Sequence, residues 1–161
     1  MSGALLVALL AAAAPLFARG SETWFELVPC ELCLWQRWPY WAAAALALAA
    51  HVVARRRLQA RPLLWAAGAA ALVSAGIAGF HVGVEFGWWP SPLPGCAAPT
   101  AGGAMTVEQM MASLAAAPTK PCDEPVWLIP GVPLSMAALN LIYGLSLAGL
   151  ALVIAERSRR A

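Results

Sequence analysis

The sequence predicts an all-α membrane protein, a four-transmembrane-helix bundle with a long external loop carrying a short amphipathic helix. Three observations predict it. Of 161 residues, 61% are hydrophobic and only 11% charged, roughly half the charge of an average soluble domain. The charges leave uncharged stretches over Met1–Ala18 (18 residues), Trp38–Ala54 (17), Pro62–Val84 (23) and Val126–Ala155 (30), against the ~20 apolar residues that cross a hydrocarbon core. Nine of the 13 prolines crowd between Pro90 and Pro133, where each removes a backbone donor that lipid could not replace. The uncharged stretch Phe86–Val107 is therefore a loop, not a fifth span. Residues 1–161 form a single membrane domain, with no room left for a separate soluble one.

Span one is expected over roughly residues 3–27, because Met1–Ala18 alone is short and Pro15 interrupts it. This stretch lacks the basic n-region and small-residue cleavage site of a signal peptide. Span two, roughly 38–54, follows Pro39 and ends at an arginine cluster, with His51 read as an interfacial residue. Span three, roughly 62–87, carries Gly79, Gly83 and Gly87 at four-residue steps, two overlapping GxxxG units that predict close approach of a neighbouring helix. Span four, roughly 132–155, contains Ser135, Asn140, Tyr143 and Ser146, polar groups expected to face other helices. The loop, roughly 88–131, holds a capping-box spacing at Thr106-Val-Glu-Gln109. Val107, Met110, Met111 and Leu114 follow it at helical intervals, predicting a helix that lies on the membrane surface.

Charge placement predicts sidedness. Seven of the ten Lys/Arg, namely Arg55, Arg56, Arg57, Arg61, Arg157, Arg159 and Arg160, fall on one side of the spans, which the positive-inside rule makes cytoplasmic. Both termini are then inside and all four cysteines outside, in an oxidising compartment. A net charge of +2 with no basic groove pattern excludes nucleic acid as a partner. Seven of the eight tryptophans map to the outer boundary, an aromatic belt that is also a candidate lining for a flat apolar ligand.

The chemistry lies in the cysteines. Cys30-Glu-Leu-Cys33 is a CxxC unit shared by redox and metal sites. Zinc needs two further ligands, and Cys96 and Cys122 stand 26 positions apart with no second CxxC, so redox chemistry is favoured. A non-catalytic metal-binding module remains the rival from another class. Arg37, one turn beyond Cys33, is expected to bring a fixed cation to that sulfur and favour its thiolate. Two pairs at one membrane face invite disulfide exchange, although four cysteines allow three pairings. His81 and Glu85, one turn apart, are candidates for a polar contact or proton route. No Rossmann glycine fingerprint for a dinucleotide is present.

The run Pro29-Cys30-Glu-Leu-Cys33-Leu-Trp-Gln-Arg37, the Pro90-Ser-Pro92 segment before Cys96, the spacing to Cys122 and Leu134-Ser-Met136 at the last span together resemble the DsbB family of disulfide bond formation proteins. The resemblance implies a bacterial inner-membrane thiol:quinone oxidoreductase that reoxidises a periplasmic DsbA-like thioredoxin-fold protein and passes the electrons to ubiquinone or menaquinone in the membrane pool. It implies that Cys96 meets the partner, that released Cys122 exchanges with Cys30, and that Cys33 lies beside the quinone with Arg37. Met136 and His81 are its further candidates for quinone binding. Gln36 stands where an acid is often found beside the arginine. A paralogue serving one dedicated substrate is the alternative within the same chemistry, and a vitamin K epoxide reductase-like enzyme is disfavoured because its CxxC is expected late in the chain.

Overall fold

The structure, a computed structural model, describes residues 2–56, 58–93, 96, 106–108, 111, 120–127 and 134–158. Its helices are α1 (Gly3–Trp24), α2 (Glu31–Trp35), α3 (Arg37–Arg55), α4 (Arg61–Glu85) and α5 (Met136–Arg157). Among the described residues the regular structure is helical apart from one isolated bridge, and three helices, α1, α4 and α5, are long and apolar enough to cross a membrane. The stretch expected as span two is the 19-residue helix α3, which is not among these three. Its opening Arg37-Trp38-Pro39-Tyr40 and closing Arg55 make it less apolar than the others. Val107, Glu108 and Met111 are helical; Gln109, Met110 and Leu114 of the predicted surface helix lie outside the described residues.

Helix ends follow local chemistry. Ser2 caps α1 by accepting the Leu5 N–H, and Ser135 caps α5 by accepting the Ala138 N–H, each meeting a donor that the first turn leaves unpaired. Pro62 occupies the first turn of α4, where its missing N–H costs nothing. The loop returns to α5 through the Met136 N–H, which bonds the Val126 carbonyl at 2.9 Å, and through an isolated antiparallel bridge between Trp127 and Ser135.

α3 packs against both α1 and α4, α4 pairs most extensively with α5, and α5 closes the ring on α1. The shared core is built from small residues: Ala8, Ala11, Ala43, Ala47, Ala67, Ala71, Ala148 and Ala151 surround Val7, Tyr40 and Leu147. In lipid, close backbone approach drives helix association more than hydrophobicity does, so alanine and glycine are suited to this core. A Cβ on Gly144 would lie 3.0 Å from the Ala75 side chain and 3.3 Å from the Ala71 carbonyl. Gly144 is therefore where α5 comes closest to α4.

The predicted glycine stripe works differently. Gly79 alone of the three meets another helix, at Leu141 of α5. Gly83 makes room for the ring of Trp89, which folds back from the loop, while Gly87 takes a left-handed turn at φ 69° that glycine alone adopts freely. Ser146 also departs from expectation: it is exposed and donates to the Ile142 carbonyl of its own helix. Tyr143 reaches across to the Leu10 carbonyl of α1 at 2.8 Å.

One end of the bundle gathers Arg55, Arg56, Arg61 and Arg157. There Arg61 pairs with Glu156 at 2.9 Å, and His51 bonds Ser2 at 2.5 Å. All four cysteines lie at the other end.

Candidate redox site

Cys30 caps α2 and Cys33 lies within its first turn, so the CxxC loop brings the two sulfurs to 3.0 Å. They are free thiols, whereas Cys96 and Cys122 form a disulfide. The Cys30 sulfur accepts the Cys33 N–H at 3.3 Å and faces His81 Nε2 at 3.5 Å. Cys30, Cys96 and Cys122 pack in one buried cluster with Leu32 and Val84. The two cysteine pairs therefore adjoin inside the protein.

The two thiols are driven apart in acidity. Cys30 is held well below the usual thiol range, first by the Cys33 S–H donated to it, then by His81 and the Cys33 N–H, with burial opposing. Cys33 is pushed up, first by that same hydrogen bond and then by burial and the neighbouring thiolate; the Arg37 charge pulls the other way. The reduced pair thus shares one proton, kept on Cys33. Sequence reasoning expected the thiolate at Cys33, because it counted the arginine and missed the donors converging on Cys30.

Beside Cys33 opens a cavity of about 490 Å³. α1 supplies Ala14, Pro15, Phe17, Ala18 and Glu22; α5 supplies Met136, Leu139, Asn140 and Tyr143; Cys33, Gln36, Arg37 and Tyr40 form the third wall. Most of this lining is apolar. Met136 and Arg37 thus border the same space as Cys33. His81 and Glu85 do not, and no tryptophan does; the aromatic lining comes from Phe17, Tyr40 and Tyr143.

The Arg37 guanidinium forms an ion pair with Glu22 of α1. Sequence reasoning passed over Glu22, although it falls on one helical face with Pro15 and Ala18, both of which line the cavity. Glu85 receives the Ser135 hydroxyl at 2.5 Å and so anchors α5 to α4. His81 stands behind Cys30, 2.9 Å from the Gln36 amide nitrogen and 3.2 Å from the Cys122 carbonyl oxygen.

Donor atoms of Cys30, Cys33 and His81 all lie within 4.8 Å of one another, the arrangement a metal module would need. His81 Nε2 also faces the Cys122 carbonyl oxygen, which can only accept, and in the tautomer that donates to it this nitrogen offers a metal no lone pair.

A buried disulfide beside a dithiol of which Cys30 is buried and Cys33 half-buried, in a bundle with membrane-length helices, defines a membrane dithiol–disulfide protein. The chain belongs to the DsbB family: the model for disulfide bond formation protein DsbB matches residues 2–154. Neither a curated protein nor a solved structure matches it significantly. Membership makes this a multi-pass membrane oxidoreductase of disulfide bond formation, with a periplasmic thiol oxidase as the implied partner.

Proposed function

We propose that the protein is a protein-dithiol:quinone oxidoreductase of the bacterial inner membrane, reoxidising a DsbA-like protein and delivering its electrons to ubiquinone or menaquinone. Four spans then put both termini in the cytoplasm and the cysteines in the periplasm, in accord with the arginines at the opposite end. The observation that carries the reading is the cavity. Its volume suits a small ring, its walls are mostly apolar, and the hydrogen-bonding side chains of Arg37, Gln36, Tyr40 and Asn140 line the same space as Cys33.

Partner thiolate attack on Cys96 breaks the Cys96–Cys122 bond and releases Cys122 as a thiolate. Cys122 attacks Cys30 of an oxidised CxxC pair, forming a new disulfide and freeing Cys33. The partner's second thiol then displaces Cys96 from the mixed disulfide, and Cys96 attacks Cys122, re-forming the Cys96–Cys122 bond and freeing Cys30; in net terms two partner thiols become a disulfide and the Cys30–Cys33 disulfide becomes the dithiol seen here. Cys96 is only 5% exposed, so the partner must uncover it. A quinone bound in the cavity supplies a two-electron, two-proton sink for that dithiol. Arg37, Met136 and Tyr40 would hold it, Arg37 as the fixed positive group that orients a carbonyl oxygen towards Cys33.

With purified protein, reduced DsbA-like protein and a short-chain ubiquinone, Cys33→Ser should abolish quinone reduction while a mixed disulfide with the partner still forms at Cys96. Unchanged turnover would overturn the reading. In a Cys122→Ser variant the lone Cys96 thiol should attack the disulfide of the oxidised partner, releasing one partner thiol and trapping the mixed disulfide; failure to trap it would point instead to a dedicated substrate.

A further inference from the structure

Between the cavity and the cysteine cluster runs a buried chain of polar groups whose hydrogen positions can be deduced from either end. The first end is a backbone carbonyl. Ser74 Oγ lies 2.7 Å from the carbonyl oxygen of Gln36. That oxygen only accepts, so the Ser74 hydrogen is committed to it. Ser74 Oγ is then left as an acceptor, and the side-chain atom of Asn140 that faces it at 3.5 Å must be the donor Nδ2. The same Nδ2 lies 2.6 Å from Gln36, which must therefore turn its acceptor Oε1 towards Asn140. The remaining Asn140 Oδ1 accepts the Tyr40 hydroxyl at 2.8 Å. With Oε1 so placed, the Gln36 amide nitrogen points at His81 Nδ1, 2.9 Å away. Nδ1 accepts, and in the neutral ring Nε2 carries the hydrogen.

The second end gives the same answer independently. Nε2 lies 3.2 Å from the Cys122 carbonyl oxygen, another group that only accepts. Both ends thus fix one tautomer, and the Nε2–H is shared between that carbonyl and the Cys30 sulfur at 3.5 Å.

We propose that Gln36 is a positioning residue, whose side-chain amide holds His81 as the neutral Nε2–H tautomer and makes it a fixed hydrogen-bond donor to Cys30, not a proton acceptor. Adding a proton at Nδ1 would set two N–H groups face to face across 2.9 Å. Relieving that contact by turning Gln36 over would set its amide nitrogen against Asn140 Nδ2. The ring is 3% exposed, so no water offers an easy substitute. The charged and titratable groups around it are Cys30 and Cys33 at the start of α2, Glu85 one turn along α4, and Lys120 acting on Glu85; Arg37 is turned towards Glu22. The tautomer stands whether or not quinone is the oxidant. Its consequence, a Cys30 thiolate stabilised at the exchange junction without a titrating histidine, rests on the exchange between pairs proposed above.

The chain has two histidines, so ring-nitrogen NMR of histidine-labelled protein in lipid nanodiscs resolves the question, with His51→Asn assigning the signals. His81 should show an unprotonated Nδ1 and a protonated Nε2 throughout about pH 5–8, the range in which an ordinary histidine changes charge. Gln36→Glu preserves size but offers Nδ1–H an acceptor, and should protonate both nitrogens in that range. A wild-type His81 that titrates there or carries hydrogen on Nδ1, or a Gln36→Glu spectrum identical to wild type, would overturn the proposal.

A thiol readout separates positioning from simple packing. In a Cys33→Ser background with the Cys96–Cys122 bond intact, Gln36→Leu should cut the Cys30 thiolate-to-thiol ratio in its titration range roughly tenfold, a shift of about one pH unit in its midpoint. Adding Gln36→Leu to His81→Ala should change nothing more, and a further shift would show that Gln36 acts apart from His81. Neither measurement uses quinone or partner, so either can fail while the oxidoreductase reading survives, and the reverse.

Discussion

The Glu22 carboxylate on α1 meets the Arg37 guanidinium at the head of α3, on the wall of the cavity that Cys33 borders. The two side chains are 16% and 19% exposed for Arg37 and Glu22, so water screens the pair only in part. Glu22 therefore restrains the cation that would otherwise act more fully on Cys33. Replacing it by glutamine should lower the Cys33 titration midpoint by roughly one unit, measured as ultraviolet thiolate absorbance in a Cys30→Ser background. A midpoint that stays put or rises would show that Glu22 does not restrain the cation.

Arg37→Met should have the opposite character. It removes the Arg37 cation from the cavity wall and strands the Glu22 carboxylate there, an arrangement that is costly when partly buried. Quinone reduction is expected to fall at least about tenfold, as for other losses of a charge-assisted contact worth ~1.5–3 kcal/mol. Mixed-disulfide formation at Cys96 should proceed as before. Equal losses in both assays would mean that Arg37 supports the fold and not the cavity.

The acidity split in the CxxC pair predicts how the reduced protein responds to pH. Unfolded, both thiols titrate near ~8.5. Folded, Cys30 lies below that value and Cys33 above it, so one proton is bound across the whole interval between them. Below ~8.5 the unfolded chain binds two protons against one, and stability rises with pH. Above it the unfolded chain binds none, and stability falls. Thermal unfolding of the reduced protein, referenced to the Cys30→Ser/Cys33→Ser double variant, should peak near ~pH 8.5. A monotonic difference would mean that the thiols do not share a proton.

Much of the fold was legible because charge and proline are coarse signals. Arginines at 55, 56, 61 and 157 bound the helices at one end, and prolines 90 and 92 mark where α4 must give way to loop. The CxxC unit, with Arg37 one turn beyond it, located the cavity wall, and Leu134-Ser-Met136 located the start of α5. What sequence could not supply was pairing across the bundle. Glu22 and Arg37 lie 15 positions apart and belong to different helices, Gln36 and His81 lie 45 apart, and nothing in either local pattern names the other. The resemblance implies a place for His81 on the quinone side, and no local pattern shows its contacts with Cys30, Gln36 and Cys122. The glycine stripe failed for a related reason: a four-residue period says that a face is small, not which neighbour fills it.

Gly83 tests that last point. Trp89 folds back over α4, stacking on Phe80 with ring centroids 5.7 Å apart and donating its Nε1–H to the Phe80 carbonyl at 3.0 Å. The space it occupies exists because Gly83 lacks a side chain, and an added Cβ would run into the indole. The indole is one rigid ring system, so it must leave as a unit, losing its stacking and its hydrogen bond together. Gly83→Ala should therefore destabilise the protein by about 1–3 kcal/mol, as overpacking does elsewhere. Because Trp89 begins the segment that leads to Cys96, mixed-disulfide formation at Cys96 should also change, while thiolate absorbance at Cys30 should not. In a Trp89→Ala background Gly83→Ala should cost almost nothing further, since the ring it displaces is already gone. If it costs as much there as in the wild type, Gly83 packs against something other than Trp89.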